Sequence, residues 1–271
     1  MSAELELTSW RRMTSELYAA VRAEDDPQRG HALRRRGRDE LFRSHPQSPL
    51  PPGDPLRTTG LPYWPYDPGL RFEVPLLPAE RAMSLSIPTS DGVTPMARIG
   101  CVQLPQPLEA VIDVWWLRQY AGGLFLPLRD GTAGESSYGG GRYALDTAKG
   151  ADLGGRAGRL IIDLNFLYHP SCRYNDAWVC PLAPPGNTIS APVSAGERLP
   201  PNFGLPVVGV VEVKPAASVP LRALVAMGGD ATRCQPPAFM RHVSCNVAVE
   251  TGNTVQSATL GLALHHWWRG L

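Results

Sequence analysis

The spacing of hydrophobic residues changes character as the chain proceeds. Between residues 8 and 44 apolar residues recur at helical spacing. Trp10, Leu17 and Val21, with Met13 and Tyr18 beside them, form one stripe. Asp26 followed by Pro27 predicts an N-cap and a first-turn proline, and therefore a second helix. Its HALRRRGRDELFR run sets arginines against Asp39 and Glu40, which reads as a solvated face laced by ion pairs. The segment from Pro46 to Pro68 is too rich in proline and glycine for a long regular element. Its GLPYWPYDP stretch predicts an extended segment pinned to the body by aromatic rings.

From Leu70 to Phe166 the pattern becomes that of short strands: LRFEVPLL, AMSLSIP, TPMARIGCVQL, LEAVIDVWWLRQY, GLFLPLRD, RYALDT and RLIIDLNFLY. TSDGVT and QYAGGLF fit hairpin turns. Pro127 cannot donate to a ladder, so its strand lies at an edge or carries a bulge. Seven strands without intervening helices predict a mainly β fold, an antiparallel sandwich or barrel-like body with an N-terminal helical pair. The expected organisation is a helical pair over 1–45, a β-rich body over 46–200 and a C-terminal extension over 201–271. That extension offers strands such as LPVVGVVEV and VSCNVAVE. It ends in HHWWRGL, which either docks or is poorly ordered.

Composition narrows the function classes. At 271 residues the chain can bury a core without covalent staples. A formal net charge of +1 gives no basis for a nucleic-acid or membrane partner. No apolar run is long enough to span a bilayer, and the acidic start lacks the pattern of a signal peptide, so a cytoplasmic setting is expected. Five cysteines in a reducing compartment argue against a disulfide framework. Cys101, within IGCV, fits a buried thiol. No motif calls for a cofactor or sets an oligomeric state.

Two constellations carry candidate chemistry. The first is RDGTAGESSYGGGRYALD, which gathers Asp130, Thr132, Glu135, Tyr138, Arg142 and Tyr143. Gly139 to Gly141 would let the backbone approach a ligand, and Arg142 could clamp an anion. The opposing expectation is a decorated loop with Arg142 tied to Asp130 or Asp163. The second is RLIIDLNFLYHPSC. Strand alternation puts Leu160, Ile162, Leu164 and Phe166 toward the core, and Asp163 and Asn165 on the other face, as the wall of a half-buried cleft. His169-Pro170 ends the strand. Cys172 and Cys180, with seven residues between them, fit buried structural thiols. A disulfide, a metal set with His169, or a nucleophilic thiol served by His169 are the alternatives.

LFLPLRDGTAGESSYGGGRY, LIIDLNFLYHPSCRYNDAWVCPLAPPGN and SAGERL resemble the bacterial and archaeal domain-of-unknown-function family 1684, over about residues 10 to 200. The upstream RRRGRDELF and SPL also fit. The resemblance singles out Asp130, Thr132, Tyr138, Arg142, Tyr143, Asp163, Asn165, Tyr168, Cys172, Cys180, Asn187 and Glu197. Ser137 stands where the family favours threonine. His169 stands where it favours asparagine, which weakens His169 as a metal ligand or base. The family implies no activity.

The expected function is a ligand-binding β domain. Arg142 and the glycine loop would face Asp163 and Asn165 across one cleft, Tyr138 and Tyr168 would wall it, and a small anionic molecule would occupy it. A hydrolase in the same cleft, metal-dependent or using Asp130, Glu135 or Asp163 as general base, is the enzymatic alternative; a structural or interaction module is the third.

Overall fold

The computed structural model describes residues 2–89 and 92–201, and the backbone of 244–251 and 254–261. The chain divides into two compact units, Met1–Pro206 and Val207–Leu271.

The first unit opens with α1 (Ala3–Arg22) and α2 (Pro27–Ser44). Asp26 caps α2, accepting hydrogen bonds from the Gln28 and Arg29 amides, as its place before Pro27 predicts. α1 starts at Ala3, seven residues before Trp10, where the apolar stripe that announces it begins. Tyr18 and Val21 are buried, whereas Met13 is exposed.

The strands are β1 (Arg71–Pro75), β2 (Leu77–Pro78), β3 (Ser84–Thr89), β4 (Gly92–Leu104), β5 (Ala110–Leu117), β6 (Gly123–Leu128), β7 (Arg142–Asp146), β8 (Gly155–Arg156) and β9 (Arg159–Asp163). The larger sheet runs β2-β4-β5-β6-β7, with β3 also paired to β4; the smaller runs β1-β9-β8. Every pairing is antiparallel. The fold is therefore mainly β with an N-terminal helical pair. Pro127 sits where the β6–β7 register slips, so the sheet accommodates it by a bulge.

Alternation along the strands splits the apolar residues into two layers. Ile112 and Val114 of β5, Leu126 and Leu128 of β6, Phe72 and Val74 of β1, and Ile162 of β9 fill the space shared by the two sheets. Trp115 and Leu117 of β5, Phe125 and Tyr143 pack instead with Tyr18 and Val21 of α1. The larger sheet thus buries both faces, and the helical pair covers one of them. The GLPYWPYDP segment is pinned as expected: Trp64 N–H donates to Gly196 O (3.0 Å), and Arg198 N–H donates to Pro62 O (2.9 Å).

In the second unit, β10 (Ser244–Thr251) and β11 (Thr254–Gly261) form an antiparallel hairpin. β10 coincides with the expected VSCNVAVE strand. LPVVGVVEV and the terminal HHWWRGL lie outside the described residues. No described helix is long and apolar enough to cross a membrane.

Candidate functional site

Arg142 opens β7 and is 0% exposed. Its Nη2 donates to Asp130 Oδ2 (2.7 Å) and to Val193 O (2.9 Å). Its Nη1 donates to Glu197 O (3.0 Å) and to Ala195 O. The guanidinium also lies over the Trp64 ring, 5.1 Å from its centroid. Asp130 Oδ1 accepts from the Thr132 amide (2.9 Å), the Thr132 hydroxyl (2.7 Å) and the Val193 amide (3.1 Å). Burial would raise the Asp130 carboxyl, but Arg142 and Thr132 outweigh it and hold the group below its usual range. The pairing of Arg142 with Asp130 is the internal tie that opposed the clamp reading. An anion clamp needs donors open to a ligand, and here both Nη atoms are committed to protein. Gly141 adopts φ +90°, and a Cβ there would meet Leu128 O at 2.7 Å. At that position the glycine run makes room for the chain's own backbone, not for a ligand. Glu135 is exposed on the same loop.

Asp163 and Asn165 form a separate lock. Strand alternation stops at Asp163, because its side chain captures the Asn165 amide (3.0 Å) and turns Leu164–Phe166 into a 3-10 helix. The expected two-faced strand through Leu167 is corrected accordingly: Ile162 through Pro170 are all buried. Asn165 and Asp67 exchange two hydrogen bonds, both 2.8 Å. Tyr66 OH reaches Asp163 Oδ2 (3.3 Å), and Arg71 Nε lies 3.7 Å from the same atom. Burial raises the Asp163 carboxyl above its ordinary value. This cluster fastens the 66–71 segment to β9. Among the described residues no hydrogen bond or ion pair joins it to Arg142, so the expected cleft between the two constellations is not what they build.

A third cluster centres on Glu197, which the family resemblance singles out but for which no partner was expected. Glu197, fully buried, accepts from Arg38 Nε, Tyr63 OH (3.1 Å), Tyr174 OH (3.0 Å) and the His169 amide (2.8 Å), with Arg34 Nη1 at 3.5 Å. Burial would raise this carboxyl; Arg38 and Arg34 reverse that and bring it to about 2. Arg34 and Arg38 lie four residues apart on α2, hence on one helix face. That face is not solvated as expected: Arg34 is 1% exposed, and the pair clamps α2 onto the body. The exposed Arg43–Glu40 pair is the kind of helical ion pair that was anticipated.

His169 is buried in the same region. Its Nε2 accepts from the Tyr138 amide (3.2 Å), and its Nδ1 faces Glu197 at 3.7 Å. Burial pushes its pKa down to about 3. His31, packed edge-on against Tyr63 and Phe166, is pushed down to about 4, chiefly by burial and then by Arg34. Both folded values lie below the ordinary value near 6.5, so the unfolded chain takes up the protons first as pH falls. Stability is full above about 6.5. It is expected to fall by roughly 1.4 kcal/mol per pH unit for each histidine down to those values. Urea unfolding at pH 7 and pH 5 measures this; equal free energies at the two values would contradict it.

The open space lies elsewhere. A cavity of about 370 Å³ and a smaller one of about 70 Å³ share four lining residues: Trp10, Tyr143, Lys149 and Ser171. α1 supplies Trp10 and Arg11, and the turn after β7 supplies Lys149. The 171–181 segment supplies Trp178 and Cys180. Arg34 and Arg38 line the smaller cavity. Tyr143 OH donates to Pro181 O, which holds the 171–181 segment in place. Asp146 accepts the Lys149 amide (3.3 Å) and lies 3.9 Å from its Nζ, so it shapes the lysine turn. Of the nine candidate ligand residues, Tyr143 lines both cavities and Tyr168 the smaller one. Asp130, Thr132, Glu135, Tyr138, Arg142, Asp163 and Asn165 line neither. The signal that could have found the cleft is Lys149, one of two lysines in the chain.

Cys172 and Cys180 are free, half-buried thiols, not the buried pair expected, and they lie close enough to influence each other's ionisation. Cys101 is also half-buried. Among the described residues no group of three His, Cys, Asp or Glu is placed to hold a metal ion. The Cys172, Cys180 and His169 set fails because His169 Nε2 is occupied by an amide.

The family model for a protein of unknown function, DUF1684, matches residues 57–198, more than half of the chain. A solution NMR structure of an uncharacterised protein from Haloarcula marismortui is 34% identical. That match covers 61% of this chain and 90% of that one, with a TM-score of 0.47. A search of curated proteins gives no match. With its GGGRY loop, DLN turn and Glu197 segment all inside the matched residues, the chain belongs to the DUF1684 family.

Proposed function

We propose that this protein binds a small anionic molecule in the cleft between α1, the Lys149 turn and the 171–181 segment. The observation that carries this reading is the 370 Å³ cavity with Arg11 and Lys149 at its wall and Trp10 and Trp178 beside them. That volume suits a small metabolite. An apolar wall with a few cationic groups is what orients an anion. Lys149 is 55% exposed, so its ammonium can turn toward a ligand at little cost. The free thiols fit a reducing, cytoplasmic setting. A hydrolytic reading would need an uncommitted carboxylate in the cleft. Asp146, the carboxylate at the cleft wall, is taken up by the Lys149 turn and by Tyr168 OH; Asp130 and Asp163 are bonded elsewhere, and Glu135 lies on an exposed loop outside it.

The test is thermal unfolding of the full chain against dicarboxylates, phosphate monoesters and inorganic phosphate. At least one is expected to raise Tm by several degrees. Lys149→Ala combined with Arg11→Ala should abolish that rise while leaving the ligand-free Tm within a few degrees. No rise with any anion, or a rise that survives both substitutions, would defeat the proposal and favour a structural or interaction module.

A further inference from the structure

Two features of the 171–181 segment go beyond ligand binding: a pair of neighbouring thiols, and the opening of one of them onto the cleft. The segment leaves the buried His169-Pro170 step, makes a short turn over Ser171–Arg173 and a second at Asn175–Trp178, and so returns Cys180 to Cys172. The Cys172 and Cys180 thiols lie close enough to influence each other's ionisation. Cys172 Sγ lies 3.8 Å from Tyr138 OH. Cys180 lines the 370 Å³ cavity together with Lys149; Cys172 does not. One thiol therefore belongs to the cleft wall, and the other is its neighbour outside that wall.

We propose that Cys180 and Cys172 form a redox-active dithiol that reduces hydroperoxides entering the cleft, with Cys180 as attacking and Cys172 as resolving thiol. Cys180 thiolate attacks the terminal peroxide oxygen. The S–O bond forms, the O–O bond breaks, and the leaving alkoxide or hydroxide takes a proton to become alcohol or water. The Cys172 sulfur then attacks Cys180 Sγ. The S–S bond forms, the S–O bond breaks, and water leaves with the Cys172 proton. The dithiol loses two electrons and the peroxide gains them. Two equivalents of a small cellular thiol return the disulfide to the dithiol and leave as their own disulfide.

The surroundings favour this division of labour. The neighbouring Cys172 and the nearby Lys149 bring Cys180 down to about 6, while Cys180 raises Cys172. A structural thiol pair needs neither a cationic neighbour nor an opening to a cavity of metabolite size. The inference does not depend on which anion the cleft binds.

The experiment treats the full chain at pH 7 with one equivalent of hydrogen peroxide. Differential alkylation and peptide mass spectrometry then follow all five cysteines separately. The expected result is a Cys172–Cys180 cross-linked peptide 2 Da lighter than its reduced form. It should form at least tenfold faster than oxidation of Cys101 and be reversed by dithiothreitol. Cys172→Ser should halt the reaction at a sulfenic acid on Cys180, trapped by dimedone; Cys180→Ser should remove the fast step. Oxidation of the pair no faster than that of Cys101, or loss of both thiols without a mutual disulfide, overturns the proposal. That reading comes from the unsubstituted protein and does not rest on the variants folding.

Discussion

Replacing Glu197 with alanine is expected to cost about 3–5 kcal/mol, enough to unfold a large share of molecules in a protein of ordinary stability. The reason is what the substitution leaves behind. Arg34 and Arg38 would stay in the interior without a counter-charge, and the His169 amide and the Tyr63 and Tyr174 hydroxyls would each lose an acceptor. The proton linkage gives a second, independent reading. Glu197 has a folded pKa near 2, below its ordinary value of about 4.5, so its contribution is present above about pH 4.5 and is lost as pH falls toward 2. Glu197→Gln keeps an acceptor but removes the charge. It should fall between wild type and alanine, and its stability should decline less steeply over that acid range. Denaturant unfolding measures all three; a loss below 1 kcal/mol for the alanine variant would show that the buried arginines are paired some other way.

Arg142→Ala is the second large effect, also about 3–5 kcal/mol, because it strands the buried Asp130 carboxylate and leaves the Val193, Ala195 and Glu197 carbonyls short of a donor. Arg142→Lys should recover little. One ammonium has three donors from a single point, whereas the guanidinium fork spans a carboxylate and three carbonyls. Asp130→Ala and the double variant complete a cycle in which the losses are far from additive. An Arg142→Ala protein that melts like wild type and merely loses anion binding would restore the clamp reading and displace the internal tie.

These two clusters show where sequence is informative. The Arg142–Asp130 tie bridges residues twelve apart, and proximity in sequence already offered that pairing. The α2 start, the Pro127 bulge and the pinned GLPYWPYDP segment follow from local rules about caps, missing donors and aromatic packing. The Arg34–Arg38 face was misjudged because its partner lies far along the chain, 159 residues from Arg38. An arginine run looks solvated until its distant carboxylate is known. The Asp163 turn was hidden for the opposite reason. Hydrophobic alternation continues through LIIDLNFLY, and only the side-chain capture of the Asn165 amide breaks it. The cleft is hardest of all to read: Trp10, Lys149 and Trp178 come from three segments that no periodicity connects. Trp10 read as part of the apolar stripe, and nothing in the local pattern assigned Lys149 a role.

The most direct measurement is a ¹H–¹⁵N correlation spectrum of the full chain titrated with the same dicarboxylates, phosphate monoesters and phosphate. The account predicts shifts concentrated at the Trp10 and Trp178 indoles and the Lys149 and Ser171 amides, with the Trp115 indole, bonded to Asn187, unmoved. Shifts centred on Asp163, Asn165 and the 130–142 loop, or none with any anion, would contradict it.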